Sequence, residues 1–302
     1  MSLISTATVV LAAEQWRILE RTHADRVDGL TRAHRVRVGG QIPHPVEDFL
    51  FTYYSLRPGQ LRRWYPGAGV ALADAPERAG WRFHRVLSPA EPGDARSTVG
   101  LDLAAFRAAR GSLLTFAARL LAATADAPPQ FGCFGLHEWA MVFQQDADQR
   151  RHPAHPLRLG QRGTDEVVRD HQIRCTHHDA FRFFTPAARP RNLLQPDLES
   201  RERLEQPGCL HASMDIYKWA YKLVPVVPSD LLVDCFMLAK QIRELDMRAS
   251  PYDLTDLGYS PVRIETTAGK AEYVAAQRTF AAAGQVLRRR LLVVIDSILT
   301  DR

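Results

Sequence analysis

Residues 229–248 read SDLLVDCFMLAKQIRELDMR, and this stretch decides the fold class. Its apolar residues recur at three- and four-residue spacing, the period of a helix with one buried face. Ser229, behind Pro228, is placed to cap the start, Asp230 suits the positive end of the helix dipole, and Pro251 follows as a stop. The same periodicity extends outward on both sides, over Leu198–Glu205 and Cys209–Leu223 before it and Gly269–Thr300 after it. Further toward the N-terminus, Leu103 to Asp126 reads as a strong helix ended by Pro128-Pro129. Thr6 to Arg37 reads as one long helix ended by Gly39-Gly40. Pro43 and Pro45 open another that carries Phe49, Leu50, Tyr53 and Tyr54 and stops at Arg57-Pro58-Gly59.

The rest is less regular. Cys133 to Gln144 is nearly all apolar, as a helix buried on every side would be. Residues 66–100 are rich in Gly, Pro and Ala and read as loop with a small hairpin, strand-like at Trp81–Val86. Asp146 to Arg174 is polar and His-rich, and Tyr259 to Glu265 reads as a short strand. The expectation is a mainly α, multi-helix, bundle-like globular domain with little β-structure. It covers residues 1–302 as one domain, with an irregular insertion at 66–100.

Composition limits the function classes. A chain of 302 residues that is 46% hydrophobic can bury a large core. The net charge of +5 permits contact with nucleic acid without requiring it. The 39 basic residues include only four lysines, leaving 35 arginines, so each lysine carries information; Lys218 and Lys222 share a helical face. The cysteines Cys133, Cys175, Cys209 and Cys235 form no CxxC pair and fit no zinc-ribbon spacing. No secretory signal is visible and no run reaches the roughly 20 apolar residues of a membrane span. A cytoplasmic protein with free thiols and no membrane partner is expected; the oligomeric state is left open.

The informative anomaly is the density of ionisable groups in apolar segments. Seven of the eleven histidines lie between His137 and His211. Burying a charge costs several kcal/mol unless it is paired or ligated. Three clusters repeat the pattern. In the first, His137 and Glu138 sit beside Trp139. In the second, His177, His178 and Asp179 precede Phe181, and two neighbouring histidines cannot serve the same point on a helix. In the third, His211, Asp215, Lys218 and Lys222 lie on one helical face, flanked by Tyr217 and Trp219. The spacing suggests a hydrogen-bonded row His211–Asp215–Lys218 and a pocket shared by all three clusters.

At these segments the chain resembles actinobacterial proteins commonly labelled 3-methyladenine DNA glycosylase. The resemblance rests on His44–Phe51, Gly135–Trp139, Arg174–His177, Cys209–Lys222 and Glu244–Leu254, and covers most of the chain. It implies an N-glycosylase-type hydrolase acting on a purine base or nucleoside, with alkylated DNA as a partner. No Gly-rich helix-hairpin-helix, four-cysteine cluster or HEAT-like array is present onto which established alkyl-purine glycosylase residues would map.

The residues carry this reading as follows. Asp215 and Glu138 are the carboxylates for oxocarbenium stabilisation or water activation, with Lys218 and His211 assisting. Trp139, Phe181, Tyr217 and Trp219 are the rings for a flipped base, and no cofactor is needed. A second reading is a metal-dependent enzyme in a helical bundle. It holds iron, manganese or zinc through His137, Glu138, His177, Asp179, His211 and Asp215, although no paired Glu-x-x-His is present. A third makes the clusters structural parts of a non-enzymatic helical binding protein.

Overall fold

The structure, a computed structural model, describes residues 9–88 and 97–300. Strand β1 (Val9–Leu11) leads into helix α1 (Ala13–Gly39), whose buried stripe runs through Trp16, His23, Val27 and Thr31. Single turns α2 (Phe49–Thr52) and α3 (Pro58–Leu61) follow. Strands β2 (Val70–Ala73), β3 (His84–Ser88) and β4 (Thr98–Leu101) join β1 in a four-stranded sheet of order β1-β2-β4-β3. β1 runs parallel to β2, with Val9 beside Val70 and Leu11 beside Leu72; the other pairings are antiparallel. The sheet is anchored to α1 where Trp16 packs with Leu72 and Val99 and its indole N–H donates to the Ala73 carbonyl at 2.9 Å.

Helix α4 (Leu103–Asp126) starts at Asp102, whose carboxylate accepts the Ala105 N–H at 2.9 Å. The single turn α5 (Leu136–Ala140) is buried throughout. Then come α6 (Gly160–Asp170), α7 (His178–Phe181), α8 (Arg201–Leu204), α9 (Leu210–Lys222), α10 (Ser229–Arg248) and α11 (Thr267–Thr300). Helices account for 57% of the described residues and strands for 7%, so the mainly α expectation holds. α9 packs against α10 and α11, and α11 also packs on α4. Ten of the 13 residues of α9 are buried, so its polar side chains must find partners inside the protein. No helix among the described residues is long and apolar enough to cross a membrane.

Several expected elements differ. Val9–Leu11 is a strand, not part of a helix, because Val70–Leu72 offers it an edge; residues 6–8 of the expected helix lie outside the described residues. Pro58 opens α3 instead of stopping a helix, since a fixed φ and a missing N–H suit the first helical position. The insertion at 66–100 holds three strands of the sheet, including the expected hairpin as β3–β4; residues 89–96 of it lie outside the described residues. A helix, α6, forms within the polar 146–174 stretch and buries Thr164, Val167 and Val168. Tyr259 to Glu265 forms no strand. Ser229 does not cap α10: its hydroxyl accepts the Tyr65 N–H at 2.8 Å and ties the helix start to the loop before β2.

Candidate functional site

Two buried ionic clusters flank α9. The first surrounds Asp215. Its Oδ1 accepts the Tyr54 hydroxyl at 2.9 Å, and its Oδ2 lies 2.5 Å from the Lys218 Nζ, 3.5 Å from the His177 Nε2 and 3.6 Å from Arg201. Lys218 reaches on to Asp179 at 2.7 Å, and Arg201 to Glu205 at 2.8 Å. Burial pushes the Asp215 carboxyl up, but the Lys218 ammonium and His177 outweigh it and hold it far below the usual carboxylate range. Burial disfavours the Lys218 charge in the same way, and Asp215 and Asp179 together raise its pKa above the ordinary lysine value.

The second cluster joins α5 to α10. The His137 Nε2 lies 2.8 Å from the Asp246 Oδ1, and Arg243 donates to Glu138 at 3.0 Å and to the other Asp246 oxygen at 3.4 Å. The Arg243 guanidinium also stacks 3.9 Å over the Phe49 ring. Burial lowers the basicity of His137, but the Asp246 carboxylate beside it raises its pKa well above the ordinary histidine value. Burial raises the Glu138 carboxyl, and Arg243 opposes this only in part.

His211 stands between the clusters. Its ring centroid is 4.5 Å from that of His137 and 5.5 Å from that of His177. Burial, and then the charge on His137, lower its pKa to about 3, so the imidazole is neutral at neutral pH. A neutral imidazole keeps one nitrogen lone pair. Ligand atoms of His137, His211 and Asp246 all lie within 4.8 Å of one another, and all three residues are buried. Once a metal displaces the His137 proton, two nitrogens and one carboxylate oxygen at this spacing form a donor set suited to iron, manganese or zinc.

The centre borders open space. A cavity of ≈ 300 Å³ is lined by Cys133, His137, Thr176, His211, Tyr273 and Gln277, among others. The Thr176 hydroxyl and the Gln277 amide oxygen are buried without a hydrogen-bond partner. His211 also lines a cleft of ≈ 20 Å³, together with Glu138, Asp179 and Arg243. That cleft shares Phe49 and Arg151 with a groove of ≈ 940 Å³. The cysteines are all free thiols, and the Cys133 sulfur lies 3.6 Å from the His137 Nδ1.

The three sequence clusters therefore meet around α9, but not in the expected row. Asp215 pairs with Lys218 as the spacing suggests, whereas His211 turns toward His137 and Asp246, and His177 takes its place at Asp215. Of the two neighbouring histidines, His177 enters the centre and His178 bonds the Pro196 carbonyl at 3.2 Å. Of the six expected metal ligands, His137 and His211 belong to the close donor set; Glu138 is held by Arg243, while Asp179 and Asp215 are held by Lys218.

The rings expected to hold a base are elsewhere. Trp139, Phe181, Tyr217 and Trp219 are buried in the main core, where large apolar area is most stabilising, and none lines the cavities described here. Sequence reasoning missed Asp246, Arg243, Glu205, Arg201 and Tyr54 as partners. The signal for two of them was present: Arg243 and Asp246 lie three apart among Ile242, Leu245 and Met247, a charged pair on an otherwise apolar face.

Comparison with protein-family models, with curated proteins and with solved structures finds no match for the chain.

Proposed function

We propose that the protein is a metal-dependent enzyme whose divalent ion is held by His137, His211 and Asp246, with substrate entering the ≈ 300 Å³ cavity beside them. The observation that carries this reading is the convergence of three buried N/O donors within 4.8 Å, two of which, His137 and His211, line the cavity while Asp246 lies behind them. Three protein ligands leave coordination positions open for water or substrate, as catalytic sites require. The partnerless Thr176 hydroxyl and Gln277 oxygen would orient a polar substrate in that cavity. Iron or manganese suits two imidazoles and one carboxylate in a helical setting.

Elemental analysis of the purified protein tests this reading. About one equivalent of iron, manganese or zinc per chain is expected, with loss of the metal in His211→Ala and Asp246→Asn. A metal-free protein that also fails to take up these ions on titration overturns it.

A second reading, hydrolysis of a purine N-glycosidic bond, is supported by Glu138. Burial raises its carboxyl, as a general acid needs, and it borders a cleft with Asp179. Release of a purine that persists after chelation and is abolished in Glu138→Gln would favour this reading over the metal enzyme.

A further inference from the structure

Away from the His137–His211–Asp246 cluster, and sharing no residue with it, a surface cavity of ≈ 480 Å³ opens where the loops leading into β2 and β3 meet α4 and the turn after α9. Its polar and aromatic lining is Arg63, Tyr65, Trp81, Arg82, Phe83 and Arg110, closed by Val224 and Pro225, with no Asp or Glu. Arg63, Arg82 and Arg110 form no salt bridge among the described residues, although the chain pairs many other arginines with carboxylates. Three cations held together without an anion repel one another, so a bound anion would stabilise the arrangement.

The aromatic part is fixed in place. Buried Arg78 lies 3.8 Å from the Trp81 ring centroid and is itself anchored to the Trp64 carbonyl at 3.1 Å. Tyr65 meets Trp81 edge-on at 5.6 Å. Arg63 sits 5.8 Å over Trp81, and Arg82 4.6 Å over Phe83. Rings ordered beside free guanidinia are the parts with which proteins hold a base and its phosphate together. The volume falls within the range of small-molecule pockets and admits one such unit.

We propose that this cavity binds a mononucleotide-type ligand, its aromatic base against Trp81 and Tyr65 and its phosphate among Arg63, Arg82 and Arg110. Guanidinium forks match phosphate oxygens in pairs, which distinguishes this ligand from an uncharged nucleoside. The same chemistry occurs in a single strand of nucleic acid, so the test separates the two sources.

Calorimetric titration of the full chain at low salt uses AMP, adenosine, ribose 5-phosphate and a short oligothymidylate as probes. AMP should bind, with adenosine and ribose 5-phosphate each weaker by about tenfold or more. Arg82→Gln and Arg110→Gln should each weaken AMP by about tenfold while the melting temperature stays that of the parent. The proposal is overturned if AMP fails to bind, if its affinity survives the Arg82→Gln/Arg110→Gln double substitution, or if ribose 5-phosphate binds as tightly as AMP. An oligothymidylate that binds far more tightly than AMP, with a steep salt dependence, also overturns it and assigns the surface to a strand.

Discussion

Lys218 is a cation lodged between two carboxylates, 2.5 Å from Asp215 and 2.7 Å from Asp179. Replacing it with Met removes the charge while keeping a chain of similar length, and leaves the buried Asp215 and the part-buried Asp179 with Arg201 as the cation near both. Breaking a buried pair costs about 3–5 kcal/mol, far above an exposed pair. Urea denaturation of Lys218→Met should show a loss of that size at unchanged m-value; a loss below about 1 kcal/mol would mean that water already screens the cluster. This pair was legible in the sequence, because Asp215 and Lys218 lie three apart on one helix. The partners of His211 were not. Spacing tells which residues share a face, but not which distant segment comes against that face, so His177 took the place beside Asp215 that the pattern gave to His211, and His211 met Asp246 instead.

At the level of elements, α9 and α11 approach closely at Gly284. A Cβ there would lie 2.8 Å from the Ser213 Oγ and 3.2 Å from its Cβ. Gly284→Ala should therefore lower stability by about 1–3 kcal/mol through overpacking, even though alanine is favoured in a helix by about 1 kcal/mol. Adding Ser213→Ala should recover part of the loss, and thermal unfolding of the single and double variants measures both effects. A more stable single variant would show that the helices can part without cost. The bounds of α4 and α10 could be read directly, since each carries its own period and stop signals. β1 and β2 could not: each is a few residues long, and they pair across the whole length of α1. α6 was hidden because only one narrow face of it is apolar.

Across the whole molecule, acid should act on histidines that the fold keeps neutral. Burial lowers the pKa of His23, with a partial restoring effect from the Leu61 carbonyl, and burial followed by Arg243 and Arg151 lowers His152 to about 3. The unfolded chain takes up protons at these residues near pH 6.5 while the folded chain refuses them. Stability is thus untouched by these groups above pH 6.5 and declines below it, for His152 down to about pH 3 at up to about 1.4 kcal/mol per pH unit, with His23 adding a loss in the same direction. Asp48 adds a loss at lower pH. Burial raises its carboxyl, but hydrogen bonds from Arg37 and His34 bring it below 3.8, so its contribution is present above that value and vanishes below it. Urea midpoints measured from pH 7.5 down to pH 5, within a range set by the histidine window, should fall steadily; a flat profile would show that these histidines gain no protons on unfolding. The composition gave no hint of this sensitivity, because burial of individual histidines depends on tertiary packing alone.

The pairing of His137 with Asp246, 109 positions along the chain, also has a consequence in time. At a synthesis rate of about 5–20 residues per second, the histidine exists for roughly 5–20 s before its carboxylate partner has been made. In that interval the nascent segment has no closing half for its charged centre, and water solvates the groups that α10 will later enclose. The centre therefore cannot close until α10 has been made, however early α5 and α9 take shape.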